Sequence, residues 1–311
     1  MTNVLFDSDA PRTGEGITVA LGKGTLPFSS DENRDSPPLI DSPILKRFRR
    51  LTLTARRRSG LAEGREEFGL RDYAPGDDYR RIDWKLCSRR DELLTRVFPL
   101  YKDQHTYVLL DCSPSMGLGS PAKFHLACQI AGLLGYAALE HLDCLHVTGF
   151  ADGPLSETGP LRGGARVGRL MRFLHDVAMQ GSQTDLTRTA AAFASRCQPH
   201  GPVAVISDLY DRRGFREAFD ILLHRGYQPR LFHIYAPCEA APGLLGDVEL
   251  ADVEAGTVQE ATITEWAAER YRQRFAEFCQ SVRDYCRRRV IPLVQVASNV
   301  PEDEVLMKLF A

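Results

Sequence analysis

Three oxygen-bearing side chains follow an apolar run at alternate positions of the sequence. The run Val108–Leu110 leads into Asp111, Ser113 and Ser115. Carboxylate and hydroxyl oxygens suit a hard cation such as Mg²⁺, whereas zinc favours Cys and His. The spacing therefore predicts a site for Mg²⁺, or the similar Mn²⁺, directly after a buried strand.

Two further oxygen donors follow later elements. Thr184 lies just before a helical stretch, and Asp208 follows the apolar run Val203–Ile206. In a doubly wound sheet the loops at the carboxyl ends of the strands form the ligand crevice, so these side chains should converge. We expect Asp111, Ser113, Ser115, Thr184 and Asp208 to form one metal site.

The elements that must position these residues begin near His105. Strand-like runs alternate with helical patterns, which predicts an α/β fold with a doubly wound, mostly parallel sheet of the Rossmann-like kind. The runs are Thr106–Leu110, Leu145–Phe150, Val203–Ile206, Leu231–Tyr235 and Pro292–Val296, and the helical stretches are 123–141, 165–179, 186–197, 215–225 and 265–289. Residues 247–263 alternate around a glycine and predict a hairpin at one edge.

The uneven charge of the chain suggests three parts. Residues 1–40 are rich in Gly, Ser, Pro and Asp and predict a disordered tail. Residues 41–104 predict a basic helix, capped by Ser42, and a ribbon packed on the following domain, which spans 105–311. Residues 42–102 hold 16 basic and 9 acidic side chains. No nucleic-acid-binding motif accompanies them, so a solvated face or an acidic protein partner is favoured over nucleic acid.

The composition is that of a folded globular protein, with 43% hydrophobic residues. No run approaches the roughly 18 apolar residues of a membrane helix. The first ten residues carry Asp7 and Asp9 where a secretory signal needs positive charge. The eight cysteines include no C-x-x-C pair. A cytoplasmic location is expected.

The motifs of common enzymes are absent from the sequence. It contains no G-x-S-x-G elbow, no H-E-x-x-H and no Walker motif. An aspartyl nucleophile at Asp111 would need a second Asp where Ser113 stands. We expect no enzymatic activity, with a magnesium-dependent phosphoester hydrolase as the alternative.

The five candidate ligands resemble the metal-ion-dependent adhesion site of von Willebrand factor type A domains. The D-x-S-x-S run, a Thr from a later loop and an Asp after a later strand occur in the right order. The resemblance implies that Ser113, Ser115 and Thr184 supply hydroxyls to the metal. It also implies that Asp111 and Asp208 bind directly or through water.

The segment ahead of the sheet is similar to the signature of domain-of-unknown-function family 58, R-x-Y-x-P-G-D-D-x-R-x-I-D-W-K-x-S. Its turn at Ala74–Asp77 predicts a ribbon whose charges form a hydrogen-bonded network, with Trp84 as an apolar anchor. Alternatively, this ribbon presents a surface to a partner. The signature residues are Arg71, Tyr73, Pro75, Gly76, Asp77, Asp78, Arg80, Ile82, Asp83, Trp84, Lys85 and Ser88.

The resemblance to this family, which carries a von Willebrand type A-like fold, implies a function. It implies a magnesium-dependent protein-interaction module in which a partner's Asp or Glu completes the metal shell. Relatives are often encoded beside AAA+ ATPases of the MoxR type, so an adaptor for such an ATPase is expected. A metal-free scaffold of the same fold is a further alternative.

Overall fold

The computed structural model falls into two compact units, the first within residues 46–104 and the second including residues 105–311. The residues described are 69–74, 82, 84, 87, 88, 93–97, 104–181, 183–196, 199–243, 245–251, 258–301 and 304. The predicted tail over residues 1–40 and the predicted basic helix lie outside this set.

In the first unit a short antiparallel ribbon pairs strand β1 (Gly69–Asp72) with β2 (Leu94–Val97). The turn at Ala74–Asp77 predicts that its two flanking segments pair with each other. The structure instead pairs β1 with β2, which lies more than twenty residues later in the sequence. Trp84 is helical and 62% exposed, so the prediction of a buried anchor is wrong.

Four other signature residues, Arg71, Tyr73, Ile82 and Ser88, lie in the described part of the first unit. Arg71 lies in β1, Tyr73 donates its backbone N–H to Leu93 O over 2.8 Å, and Ile82 is buried. Ser88 is helical and exposed. The remaining signature residues lie outside the described part of the chain, and the charged ones among them belong to the predicted network. They are Pro75, Gly76, Asp77, Asp78, Arg80, Asp83 and Lys85.

The second unit is built on a seven-stranded sheet, which confirms the predicted doubly wound architecture. Its main path runs β11-β8-β7-β3-β4-β5, parallel from β11 to β4, and the antiparallel β6 also pairs with β4. The strands are β3 (His105–Asp111), β4 (Cys144–Phe150), β5 (Pro154–Glu157), β6 (Leu161–Arg162), β7 (Pro202–Ser207), β8 (Gln228–Tyr235) and β11 (Leu293–Ala297). The five strand-like runs correspond to β3, β4, β7, β8 and β11, whereas β5 and β6 were not predicted.

Helices cover both faces of this sheet because its strands are apolar on both sides. They are α1 (Lys123–Glu140), α2 (Val167–Asp176), α3 (Leu186–Ser195), α4 (Arg216–His224), α5 (Pro237–Ala240) and α6 (Glu265–Arg289). Val108 and Leu110 of β3 face the core formed with α1 and α2. Tyr107 and Leu109 face the core formed with α3, α4 and α6.

The segment predicted as a hairpin forms one, with β9 (Gly246–Ala251) antiparallel to β10 (Val258–Ile263) in a separate two-stranded sheet. Within the described part of the chain, no helix combines the length and apolar character that a membrane crossing requires.

Candidate functional site at the carboxyl edge of the sheet

The strand order reverses direction at β3, whose neighbours are β4 on one side and β7 on the other. Ligands of doubly wound sheets bind outside the carboxyl ends of the strands at such a switch point. Asp111 ends β3, and Ser207 ends β7 with Asp208 directly after it. The candidate ligands therefore meet where the topology places a crevice.

Asp111 is completely buried, and both of its carboxylate oxygens accept hydrogen bonds. The backbone N–H of Ser113 donates to Oδ1 over 3.0 Å, and the Ser207 hydroxyl donates to Oδ2 over 2.5 Å. Burial, followed by the negative charge of Asp208, raises the pKa of Asp111 to about 7 despite these hydrogen bonds. A positive charge placed next to this carboxylate would stabilise its ionised form.

The two serine hydroxyls lie beside it on a turn of 3-10 helix, Pro114–Gly117. Ser113 and Ser115 are both buried, and their Oγ atoms are 3.0 Å apart. Adjacent ligands of an octahedral Mg²⁺, each roughly 2.1 Å from the ion, are separated by about 3.0 Å. The hydroxyl pair therefore has the spacing of two neighbouring ligands of one ion.

Thr184 is buried on a loop that three hydrogen bonds hold against the same edge. Gln180 N–H donates to Cys112 O after β3, and Asp185 N–H donates to Ala151 O after β4, each over 2.8 Å. The backbone N–H of Leu186 donates to Asp211 Oδ2, after β7, over 2.8 Å. The loop is thus fastened to the ends of all three central strands.

Asp208 is also buried, but its main partner is a lysine. The Lys123 ammonium donates to Asp208 Oδ2 over 2.7 Å and to Glu239 Oε1 over 2.5 Å, and Lys123 is completely buried. Burial alone would lower the pKa of Lys123, but the two carboxylates outweigh it and hold this pKa above its usual value. Asp208 Oδ1 accepts from the backbone N–H of Tyr210 over 3.1 Å.

Of the five predicted ligands, the structure links Asp111 to Ser113 and Ser113 to Ser115 by hydrogen bonds. Asp208 acts on Asp111 through its charge and is bound to Lys123. The oxygen atoms of Asp111, Ser113 and Ser115 are of the kind that Mg²⁺ prefers. Asp208, by contrast, already has the Lys123 ammonium as a cationic partner.

Lys123, Glu239 and Ser207 were not predicted from the sequence. Lys123 begins an apolar helix next to Phe124. A lysine at such a position is unusual in a core, and this is the signal that could have identified it. Glu239 follows the carboxyl end of β8, and Ser207 ends β7. The switch-point rule that selected Asp208 applies equally to these two residues.

The fold and this edge define an α/β protein with a buried cluster of oxygen-bearing side chains at its switch point. Residues 69–284, more than half of the chain, match the family described as "Protein of unknown function DUF58". The chain belongs to this family.

Curated relatives include uncharacterized proteins of Mycobacterium bovis and Mycobacterium tuberculosis, each 26% identical over 212 residues. The alignment covers 64% of this chain and 64% of each relative, so the chain spans just under two thirds of their length.

Similar solved structures include the conserved hypothetical protein BatB from Bacteroides thetaiotaomicron, with 16% identity and a TM-score of 0.44. That match covers 67% of this chain and 97% of BatB. Another is the SpRpn10 VWA domain, with 11% identity and a TM-score of 0.37 over 65% of this chain and 93% of that domain. The order and directions of the strands in the seven-stranded sheet define the fold.

Proposed function

We propose that this chain is a non-enzymatic, magnesium-dependent protein-interaction module. The observation that carries the proposal is the 3.0 Å separation of the Ser113 and Ser115 hydroxyls next to the buried carboxylate of Asp111. These three residues would hold Mg²⁺ or Mn²⁺, with Thr184 on the adjoining loop as a further hydroxyl donor. When bound, the ion supplies a Lewis-acidic position for an oxygen ligand from another molecule.

The charge balance of the cluster supports a carboxylate as that ligand. Lys123 already neutralises part of the charge of Asp208 and Glu239. Asp208 Oδ2 is bound to the ammonium, so Asp208 would act on the ion through water. Asp111 is then the one carboxylate of this set beside the hydroxyls, and a dication there retains positive charge. An Asp or Glu side chain from a partner protein would neutralise it.

The nature of the site also supports a binding role rather than hydrolysis. Both oxygens of Asp111 accept hydrogen bonds, from Ser113 and Ser207, which lowers their reactivity as a nucleophile. Ser113 and Ser115 have each other as hydrogen-bond partners, and among the residues that the structure describes no histidine forms a hydrogen bond with either hydroxyl as a base would.

For the partner, the family resemblance favours an AAA+ ATPase of the MoxR type, with this chain as the adaptor between that ATPase and a client. A cytoplasmic setting agrees with the cysteines, since none of those described, at residues 87, 112, 128, 144, 238, 279 and 286, forms a disulfide.

The test is a pair of melting curves, with and without millimolar magnesium, for the wild type and for a Ser113→Ala/Ser115→Ala double variant. A ligand at 100 times its dissociation constant stabilises a protein by about 2.7 kcal/mol. We expect the wild type to gain stability with magnesium and the double variant to gain little. Ser195→Ala, which removes an exposed hydroxyl on α3, is the control and should respond like the wild type.

The binding role is tested by magnesium-dependent pull-down with a MoxR-type ATPase. Retention that requires magnesium in the wild type, and that is lost in the double variant, supports the adaptor. If the wild type is retained without magnesium and the double variant is retained as well, the metal mechanism is refuted. Release of phosphate from generic phosphoesters by the wild type, abolished in the double variant, would instead make the chain a hydrolase.

A further inference from the structure

A second cluster of metal-ligating side chains lies at the opposite, amino edge of the sheet. His105 begins β3, and Cys144 begins β4 with His146 two residues later. Residues two apart on a strand point to the same face, so Cys144 and His146 project together. In the parallel pairing of the strands, His105 is opposite Cys144. The strand register therefore brings three ligand-type side chains to one face.

Their ligand atoms are already close together. His105 Nδ1 is 3.3 Å from His146 Nε2, and Cys144 Sγ is 3.5 Å from the same Nε2. All three ligand atoms lie within 4.8 Å of one another. The two imidazole rings are nearly parallel, at 19°, with centroids 5.5 Å apart. Given the 3.3 Å contact, the rings meet through their nitrogen-bearing edges.

These separations match those expected around a tetrahedral zinc ion. Zn–N distances of about 2.0–2.1 Å place two nitrogen ligands roughly 3.3 Å apart. A Zn–S distance of about 2.3 Å places sulfur and nitrogen ligands roughly 3.5 Å apart. Two of the three edges of the ligand triangle thus have tetrahedral lengths without movement of the backbone.

Ring stacking and partial burial define the surroundings of the three side chains. Zinc binds neutral imidazole and thiolate. His146 stacks on Tyr107, with ring centroids 5.0 Å apart, which fixes its orientation. Cys144 is buried and both histidines are partly exposed, so solvent reaches the cluster from the histidine side.

We propose that His105, Cys144 and His146 form a three-ligand site for Zn²⁺. The set contains two imidazoles and one thiol, nitrogen and sulfur donors that suit zinc rather than a hard cation such as Mg²⁺. Binding forms one Zn–S and two Zn–N bonds, and the thiol proton of Cys144 is released to solvent. Water, or a ligand from another molecule, would occupy the fourth position. The bound ion would join β3 to β4 at the amino edge, independently of the function proposed above.

The experiment is a calorimetric zinc titration of the full chain after treatment with a chelator. We expect one zinc per chain. Cys144→Ser and His146→Gln should each lower the zinc affinity by at least about 100-fold, because loss of a direct ligand should cost at least as much as the largest effect of losing an outer-shell partner. Matched controls are Cys238→Ser and His175→Gln, which change an exposed cysteine and an exposed histidine elsewhere. Both controls should bind zinc like the wild type.

Two additions keep the test decisive if a strand variant folds poorly. His105→Gln alters a partly exposed residue at the first position of β3, and it should also weaken zinc binding. Cobalt substituted for zinc in the wild type should give a thiolate-to-metal charge-transfer band that Cys144→Ser lacks. A wild type that binds no zinc, or zinc binding that all three site variants retain, would overturn the proposal.

Discussion

Replacement of Lys123 by methionine tests how the carboxyl-edge cluster is held together. Methionine has a similar length but no charge, so Asp208 and Glu239 would lose a shared donor while remaining buried. Removal of one partner of a buried ion pair costs about 3–5 kcal/mol. Two hydrogen bonds to charged groups, at about 1.5–3 kcal/mol each, give a similar figure. We expect Lys123→Met to lower the free energy of unfolding by about 4 kcal/mol.

The assay is urea denaturation followed by circular dichroism, together with thermal melting. For a unit of this size, each kcal/mol lowers the melting temperature by about 2–4 °C, so the expected loss is roughly 8–16 °C. Adding Glu239→Gln to Lys123→Met removes one of the two orphaned charges. The double variant should therefore be less destabilised than the sum of its single variants.

The control is Arg272→Ala on the exposed side of α6. Its partner Glu269 lies 2.6 Å away, but both side chains are exposed. Exposed ion pairs contribute little, so this variant should melt close to the wild type. If Lys123→Met also cost less than about 1 kcal/mol, as an exposed pair does, the reasoning that a buried ammonium holds the two carboxylates would be refuted.

Two other outcomes follow from the cluster and its surroundings. Asp111→Ala removes a buried carboxyl group that accepts hydrogen bonds from Ser113 and Ser207, so it should lower the stability of the metal-free protein, and it should gain less thermal stability from magnesium than the wild type does. The pKa of His233 is lowered to about 4, mainly by burial, with Lys123 and Arg283 also lowering it and Asp208 raising it. Unfolded histidine titrates near pH 6.5, so this stabilising contribution is complete above that pH and about 3 kcal/mol is lost as the pH falls to about 4. His233→Gln should flatten the pH dependence of the unfolding free energy between these values, and an unchanged slope would contradict the assignment.

The core strands were predictable because each is an apolar run of β-branched and aliphatic residues between polar turns. Strands β5 and β6 escaped prediction for a physical reason. Pro154–Glu157 and Leu161–Arg162 are short edge strands with exposed positions, and they lack the continuous apolar pattern of a buried strand. Their structure depends on β4, with which both pair.

The candidate site was predictable to the extent that it depends on strand ends. Asp111 and Asp208 follow apolar runs, and the switch-point rule brings them to one edge. The position of Lys123 could not be predicted in the same way. It is the first residue of a helix, and its local sequence does not indicate which strand ends its side chain contacts. The partner Glu239 is 116 positions away in the sequence, and the fold alone brings the two together.

The most direct test of the central claim is a crystal of this protein soaked in manganese, with anomalous diffraction recorded at the metal's absorption edge. We expect one strong anomalous peak about 2.2 Å from the Oγ atoms of both Ser113 and Ser115, on the side of Asp111. Absence of a peak at this hydroxyl pair in fully soaked crystals, with the two hydroxyls still hydrogen-bonded to each other, would contradict it.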